Sequence, residues 1–408
     1  MLVTLLVFLL ILSVLVLIHE AGHYFVAKWF GIKVEEFGFG FPVTPALFSI
    51  KRGETVYSFY PVLIGGFVKL YGEDEAGGGK VSSKVSGHSK NKDSHRAFFT
   101  RPLWQRGLVI VAGVLMNVFL AAAIYYVFLG MSAFRAELPL IGDHKFFLVN
   151  QQVKTDVIVN EISPNSPASK AGIVPFSKMI AVNGKGIESA DSFAQIIKDN
   201  KGKEIQIEWQ DLKTGKKSET KVTPRLNPPP KEGSLGVAFF PSKTAVLSYD
   251  TPEQKLLSGF SHPINLMSYQ FDILGKLIGI SIKEKTAKPV GQAMSGPVGI
   301  GFYVGSVVSQ PDAQKRIMDL LNLAGLLSMS LAFFNILPIP GLDGGRFFFI
   351  ILELVTRKKV NPRIEGIIHS VGMSLLLLLM VVITWNDIVM HKDEIFAFFK
   401  KLITPVNP

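Results

Sequence analysis

The chain has 408 residues, no cysteine, 48% hydrophobic residues and a net charge of +11. The missing cysteines exclude disulfides, thiolate metal sites and a cysteine nucleophile, so any metal must be held by His, Asp or Glu. A mean hydropathy of +0.33 points to a membrane protein. The basic residues cluster beside hydrophobic segments, so the charge reads as membrane flanking and not as a nucleic-acid footprint.

Residues 1–31 begin with the nearly unbroken apolar run MLVTLLVFLLILSVLVL. No Lys or Arg precedes Lys28, and no A-x-A-like site follows the run. The segment is therefore expected to stay as a transmembrane helix and not to leave as a signal peptide. Within it stands His19-Glu20-Ala21-Gly22-His23. Such polar groups at that depth cost free energy unless something compensates them. On a helix, the i, i+4 spacing places both imidazoles on one face, with Cβ atoms about 5–6 Å apart. Both can reach one tetrahedral zinc ion, and Glu20 can then serve as general base without ligating.

Residues 32–75 mix aromatic, β-branched and glycine residues, as in KVEEFGFGFP and ETVYSFYPVLIGGFVKLYGE. They are expected to form a membrane-associated β region, a hairpin that dips into the bilayer while pairing with protein. Residues 76–100 are polar and Gly/Ser/Lys-rich at their start and read as a cytoplasmic linker, with His88 and His95 as solvated loop residues. A second span is expected within 101–131, whose stretch from Gly107 to Gly130 carries no charge.

Residues 155–226 alternate short strands with one helix and read as a small α/β domain. NPPPKEG follows as a stiff linker, and residues 251–310 read as an amphipathic membrane-surface region. A third transmembrane segment is expected over 319–352 and a fourth over 364–390, which contains LLLLLMVVI. The fold class is thus a polytopic α-helical membrane protein. It has four transmembrane helices, a membrane-associated β-hairpin region and one external α/β domain. Four spans put both termini on one side. Lys and Arg crowd the region between spans one and two, and Arg357, Lys358, Lys359 and Arg363 flank the short third connection. Both connections should be cytoplasmic, with the termini and the α/β domain outside.

A catalytic zinc needs a third protein ligand and an open position. The segment FNILPIPGLDGGRFF offers Asp343. His19 lies roughly 26 Å into span one at about 1.5 Å per residue, and Asp343 lies about 23 residues into span three. Both spans run from outside to inside, so both sites arrive near the cytoplasmic side of the hydrocarbon core. A helix cap with a Gly344-Gly345 turn is the plain structural alternative for Asp343.

The ordered motifs HEAGHYFVAKWFGIKVEEFGFGFP, YPVLIGGFVKLYGE, AFFTRPLWQRGLVIVAGVLMN, SGPVGI and NILPIPGLDGG cover nearly the whole chain. They resemble those of the site-2 proteases, the bacterial intramembrane zinc metalloproteases of the regulator-of-sigma-E type. The resemblance implies His19, His23 and Asp343 as zinc ligands, Glu20 as catalytic base, and Asn117 and Asn335 as substrate-binding polar residues. Ala112-Gly113-Val114 departs from the family's common Ala-Gly-Pro, which bears on local helix shape. Residues 155–226 are similar to a permuted bacterial PDZ domain, carried by ISPNSPASKAGIVPFSKMIAVNGKGIES with VPFSK in place of the usual Gly-Asp turn. The implied protein is a zinc metalloendopeptidase of the bacterial cytoplasmic (inner) membrane. It would cut single-span membrane substrates, such as an anti-sigma factor or remnant signal peptides, within the lipid bilayer. A metal-bearing scaffold and a metal transporter are the alternatives, and neither needs Glu20.

Overall fold

A computed structural model describes residues 2–72, 94–187, 189–212, 214–230, 232–286, 288–293 and 295–392. Of the expected linker, residues 76–93 with His88 lie outside the described residues. The chain divides into two compact units, one of Met1–Met131 with Leu256–Pro408 and one of Ser132–Lys255.

The larger unit begins with helix α1 (Leu2–Trp29). Strands β1 (Val34–Phe41), β2 (Phe48–Arg52), β3 (Thr55–Phe59) and β4 (Val62–Leu70) follow. They form a sheet in the order β2-β3-β1-β4, with β1 parallel to β3 and antiparallel to β4. The β region is therefore a four-stranded sheet, larger than a single hairpin, because β1 closes beside β3 as well as β4. Glu54, in the β2–β3 turn, pins this sheet to the end of α1. It accepts from Arg96 at 2.7 and 2.9 Å and from Lys28 at 2.5 Å. The hydrogen bonds from Arg96, with Lys28 beside them, hold its carboxyl down to about 2, against the burial that opposes ionisation. His95 lies in a short 3₁₀ turn.

Helix α2 (Leu103–Met131) runs unbroken through Ala112-Gly113-Val114. Gly22 lets α1 settle on it: a Cβ there would lie 2.5 Å from the Ala112 carbonyl oxygen. A buried cluster including Ala27, Val34, Leu70, Val109 and Ile350 joins α1, the sheet and α2 to a helix late in the chain.

The smaller unit holds β5 (Arg135–Leu140), β6 (Asn150–Ile162), α3 (Pro167–Lys170), β7 (Ser177–Val182), β8 (Lys185–Gly186), α4 (Ala190–Asp199), β9 (Ile205–Asp211), β10 (Lys217–Val222) and β11 (Val237–Ser248). Its sheet runs β10-β9-β7-β6-β11-β5, with β8 paired to β7, and is PDZ-like. A reciprocal Ser189/Ser192 capping box starts α4. Val159, Phe193, Ile205 and Ile207, all at most 1% exposed, are at its centre. The long β6–β11 pairing brings in two strands, β5 and β11, from beyond residues 155–226.

The larger unit resumes within α5 (Pro252–Glu284), then α6 (Lys288–Ala293), α7 (Pro297–Val308), α8 (Ala313–Ile336), α9 (Asp343–Thr356) and α10 (Pro362–Met390). Helix α7, PVGIGFYVGSVV, is apolar and uncharged, so residues 251–310 are not amphipathic throughout. Among the described residues, four helices are long and apolar enough to cross a membrane: Val3–Trp29, Leu103–Met131, Ala313–Ile336 and Arg363–Met390. The expected third segment is thus two helices. Helix α8 stops because Leu337 precedes Pro338 and is extended, at φ −65° and ψ 144°. Helix α9 then restarts at Asp343, and the Arg106–Glu353 ion pair at 3.0 Å holds it along α2.

Candidate metal centre

Three donor groups from distant parts of the chain converge. Nε2 of His19 lies 2.9 Å from Oδ2 of Asp343, and Nε2 of His23 lies 3.3 Å from the same oxygen. The two Nε2 atoms are 3.3 Å apart. One ligand atom from each residue lies within 4.8 Å of the others. Helix α1 presents both imidazoles from one face, as the i, i+4 spacing requires. Asp343 is the first residue of α9, where the helix N-terminus favours a negative charge.

The surroundings orient the rings. The Nδ1–H of His23 donates to the Val109 carbonyl at 2.8 Å, which leaves the Nε2 lone pair facing His19 and Asp343. Asn117 is fully buried, its Nδ2 is 3.2 Å from Nδ1 of His19, and its own Oδ1 has no hydrogen-bond partner among the described residues. Turning this amide by 180° gives that orphan oxygen the Nδ1–H of His19, and frees the His19 Nε2 lone pair in turn. Gly113 supplies the room: a Cβ there would lie 2.4 Å from Nε2 of His23 and 2.8 Å from Cε1 of His19. Two imidazoles, each with an outer partner available, and a carboxylate fit a zinc ion with an open coordination position.

Glu20, His23 and Asp343 line one cavity of about 400 Å³. Its walls include Phe67, Val68 and Leu70 of β4, an edge strand of its sheet. Gly66 of β4 runs past Glu20, whose Cγ would lie 3.4 Å from a Cβ built there. Asn335, buried near the end of α8, places Nδ2 3.5 Å from Nε2 of His19. The two asparagines therefore meet opposite edges of the same imidazole.

The sequence reading missed two polar residues in α10. His369 accepts the Gly341 amide at 2.9 Å. Asp387, 2% exposed, accepts the Gly296 and Gly299 amides at 3.1 and 2.8 Å. The available signal was their polarity within an otherwise apolar span.

An H-E-x-x-H helix among apolar spans, closed by an aspartate from a second segment, defines a membrane-embedded metallopeptidase. Residues 7–379 match peptidase family M50, the site-2 protease family, and the chain belongs to it as a zinc metalloprotease. It is similar to the zinc metalloprotease RasP of Geobacillus kaustophilus, with 28% identity covering 93% of this chain and 96% of the relative. The zinc metalloprotease RasP of Shouchella clausii is 29% identical, covering 94% and 98%. The regulator of sigma-W protease RasP of Bacillus subtilis is 26% identical, covering 94% and 98%.

Proposed function

We propose that His19, His23 and Asp343 hold the zinc and that Glu20 is the general base for peptide hydrolysis inside the membrane. The observation that carries this reading is the convergence of the three donors within 4.8 Å, beside a cavity that Glu20 also lines. Zinc, when bound, polarises a carbonyl and makes water nucleophilic near neutral pH.

Glu20 takes the proton of the attacking water and returns it to the leaving amine. Val109 and Asn117 keep the two imidazoles turned toward the centre. Asn117, behind His19 and fully buried, acts on ring orientation, while Asn335 on the Nε2 side is the better placed to meet substrate. A helical substrate hides its carbonyls in i to i−4 bonds and must unwind to be cut. Among the described residues β4 has no strand on its outer edge, and that edge along the cavity suits an extended segment, which it would hold by backbone pairing.

The substrates are single-span membrane proteins. The name of the B. subtilis relative favours an anti-sigma factor over remnant signal peptides. The bacterial cytoplasmic membrane is the proposed location, and the four candidate spans support a multi-pass membrane protein. The basic connections then face the cytoplasm, and the termini and PDZ-like unit face outward. In that position the PDZ-like unit would act as a size filter that admits trimmed substrates. The test of the chemistry is Glu20→Gln in the purified chain. Zinc content should stay at the wild-type level, while cleavage of a transmembrane reporter should fall by about 10²-fold or more. Cleavage near the wild-type rate would overturn the assignment.

A further inference from the structure

The turn that delivers Asp343 is tied to a different helix from the one that supplies the histidines. Residues 337–342 connect α8 to α9. Within this turn the Ile339 amide donates to Leu337 at 2.7 Å, and the Leu342 amide to Ile339 at 3.2 Å. Pro338 and Pro340 have no amide hydrogen to give. The Gly341 amide leaves the turn and donates to Nδ1 of His369 on α10, at 2.9 Å.

The two backbones meet closely at this point. Gly341 has φ +98°, and a Cβ on it would lie 2.9 Å from the Met373 nitrogen. A Cβ on Gly372 would lie 2.2 Å from the Pro340 carbonyl oxygen. The His369 side chain therefore acts at a place where turn and helix are already pressed together. Its residue is 6% exposed and lines the cavity that holds Glu20, His23 and Asp343.

The donor in this bond is not in question. A backbone amide can only donate, so Nδ1 is the acceptor and the ring proton sits on Nε2. Nε2 is buried and has no hydrogen-bond partner among the described residues. Among the described residues, the one hydrogen bond of the His369 side chain thus goes to the turn. Gly341 stands two residues before Asp343, so a shift of its amide moves the carboxylate. Metal sites require their ligands within about 0.5 Å of the productive position.

We propose that His369 is a positioning residue of the metal centre. Through Nδ1 it holds Gly341, and so sets where the Asp343 carboxylate stands against His19 and His23. This rests on the reading of Asp343 as a zinc ligand. It makes α10 a support of the metal site, although α10 contributes no ligand.

The experiment compares zinc affinity, by competition with a chromogenic chelator, in the purified full chain and three variants. Asparagine at 369 places an acceptor where Nδ1 stands, and glutamine places the same amide near Nε2. His369→Asn should bind zinc within about threefold of wild type. His369→Gln should bind about tenfold or more weakly, as losses of outer-shell partners do. Asp343→Asn should be weaker again. Wild-type affinity in His369→Gln, with loss in Asp343→Asn, overturns the inference and leaves the zinc assignment standing. An equal loss in both His369 variants also overturns it, since ring packing and not the acceptor would then matter. Wild-type affinity in Asp343→Asn overturns both readings. If His369→Gln fails to fold, by helix content in circular dichroism, His369→Ala removes the acceptor without added bulk and takes its place with the same expectations.

Discussion

Nε2 of His19 and Oδ2 of Asp343 lie 2.9 Å apart although 324 residues separate them. Helix α1 and the start of α9 are brought together by α2, which packs on α1 at Gly22 and on α9 through Arg106 and Glu353. Arg346, the cation that would pair with Asp343 in a purely structural role, lines the cavity that Asp343 lines. Asp343→Asn keeps size and hydrogen bonding but removes the charge. If zinc is the partner, Asp343→Asn should lose most of its zinc and its activity with little loss of folded protein, while Arg346→Gln keeps zinc. Metal analysis of both variants decides it, and full zinc in Asp343→Asn would leave the third ligand elsewhere.

Gly113 gives a steric test of the same centre. The Cβ of Gly113→Ala would press on both imidazoles, at 2.4 Å from Nε2 of His23. Alanine favours a helix over glycine by about 1 kcal/mol, so α2 itself should be stabilised. Zinc occupancy should nevertheless drop, with helix content unchanged by circular dichroism. Wild-type zinc content in Gly113→Ala would show that the rings can move aside at no cost to the site.

The sheet carries a pH dependence. The Glu54 carboxyl, held near 2 in the folded chain, would titrate near 4.5 when unpaired. Its folded value is depressed, so its contribution is present above 4.5 and is lost as pH falls from there toward 2. Glu54→Gln should therefore melt below wild type at pH 7, and the gap should narrow as pH drops through that window. Thermal unfolding in detergent at pH 7, 5 and 3.5 checks this. A gap that stays constant would exclude the ionised carboxylate as its source.

The PDZ-like unit tests both orientation and filtering. A cysteine placed at Gly184, in an otherwise cysteine-free chain, should label with an impermeant reagent on intact cells. Replacing Ser132–Lys255 with a flexible linker should extend cleavage to substrates with bulky external domains, while trimmed substrates are cut as before. Labelling only after lysis would reverse the orientation, and loss of both cleavages would point to folding support.

Much of this protein was written locally. His19, Glu20 and His23 are legible because a helix has a fixed period, and four residues always return to one face. The four spans are legible because a bilayer demands about 20 apolar residues of each. Pro338 and Pro340 announce the end of α8, since neither can donate to a helix. Depth along spans one and three, which run in the same direction, even put Asp343 at the level of the histidines.

What remained belonged to pairings between distant segments, which no local pattern encodes. The parallel β1–β3 pair needed the fold to bring Glu36–Phe39 beside Val56–Phe59. Strands β5 and β11 carry alternation too weak to read alone, and their long pairing partners reveal them. Asn117 and Asn335 look alike in sequence, yet packing places one behind His19 and the other at its Nε2 edge. His369 and Asp387 read as isolated polar residues in α10. Only the tertiary structure supplies the Gly341, Gly296 and Gly299 amides that make burying them affordable, because a buried polar group is tolerated when a specific partner satisfies it.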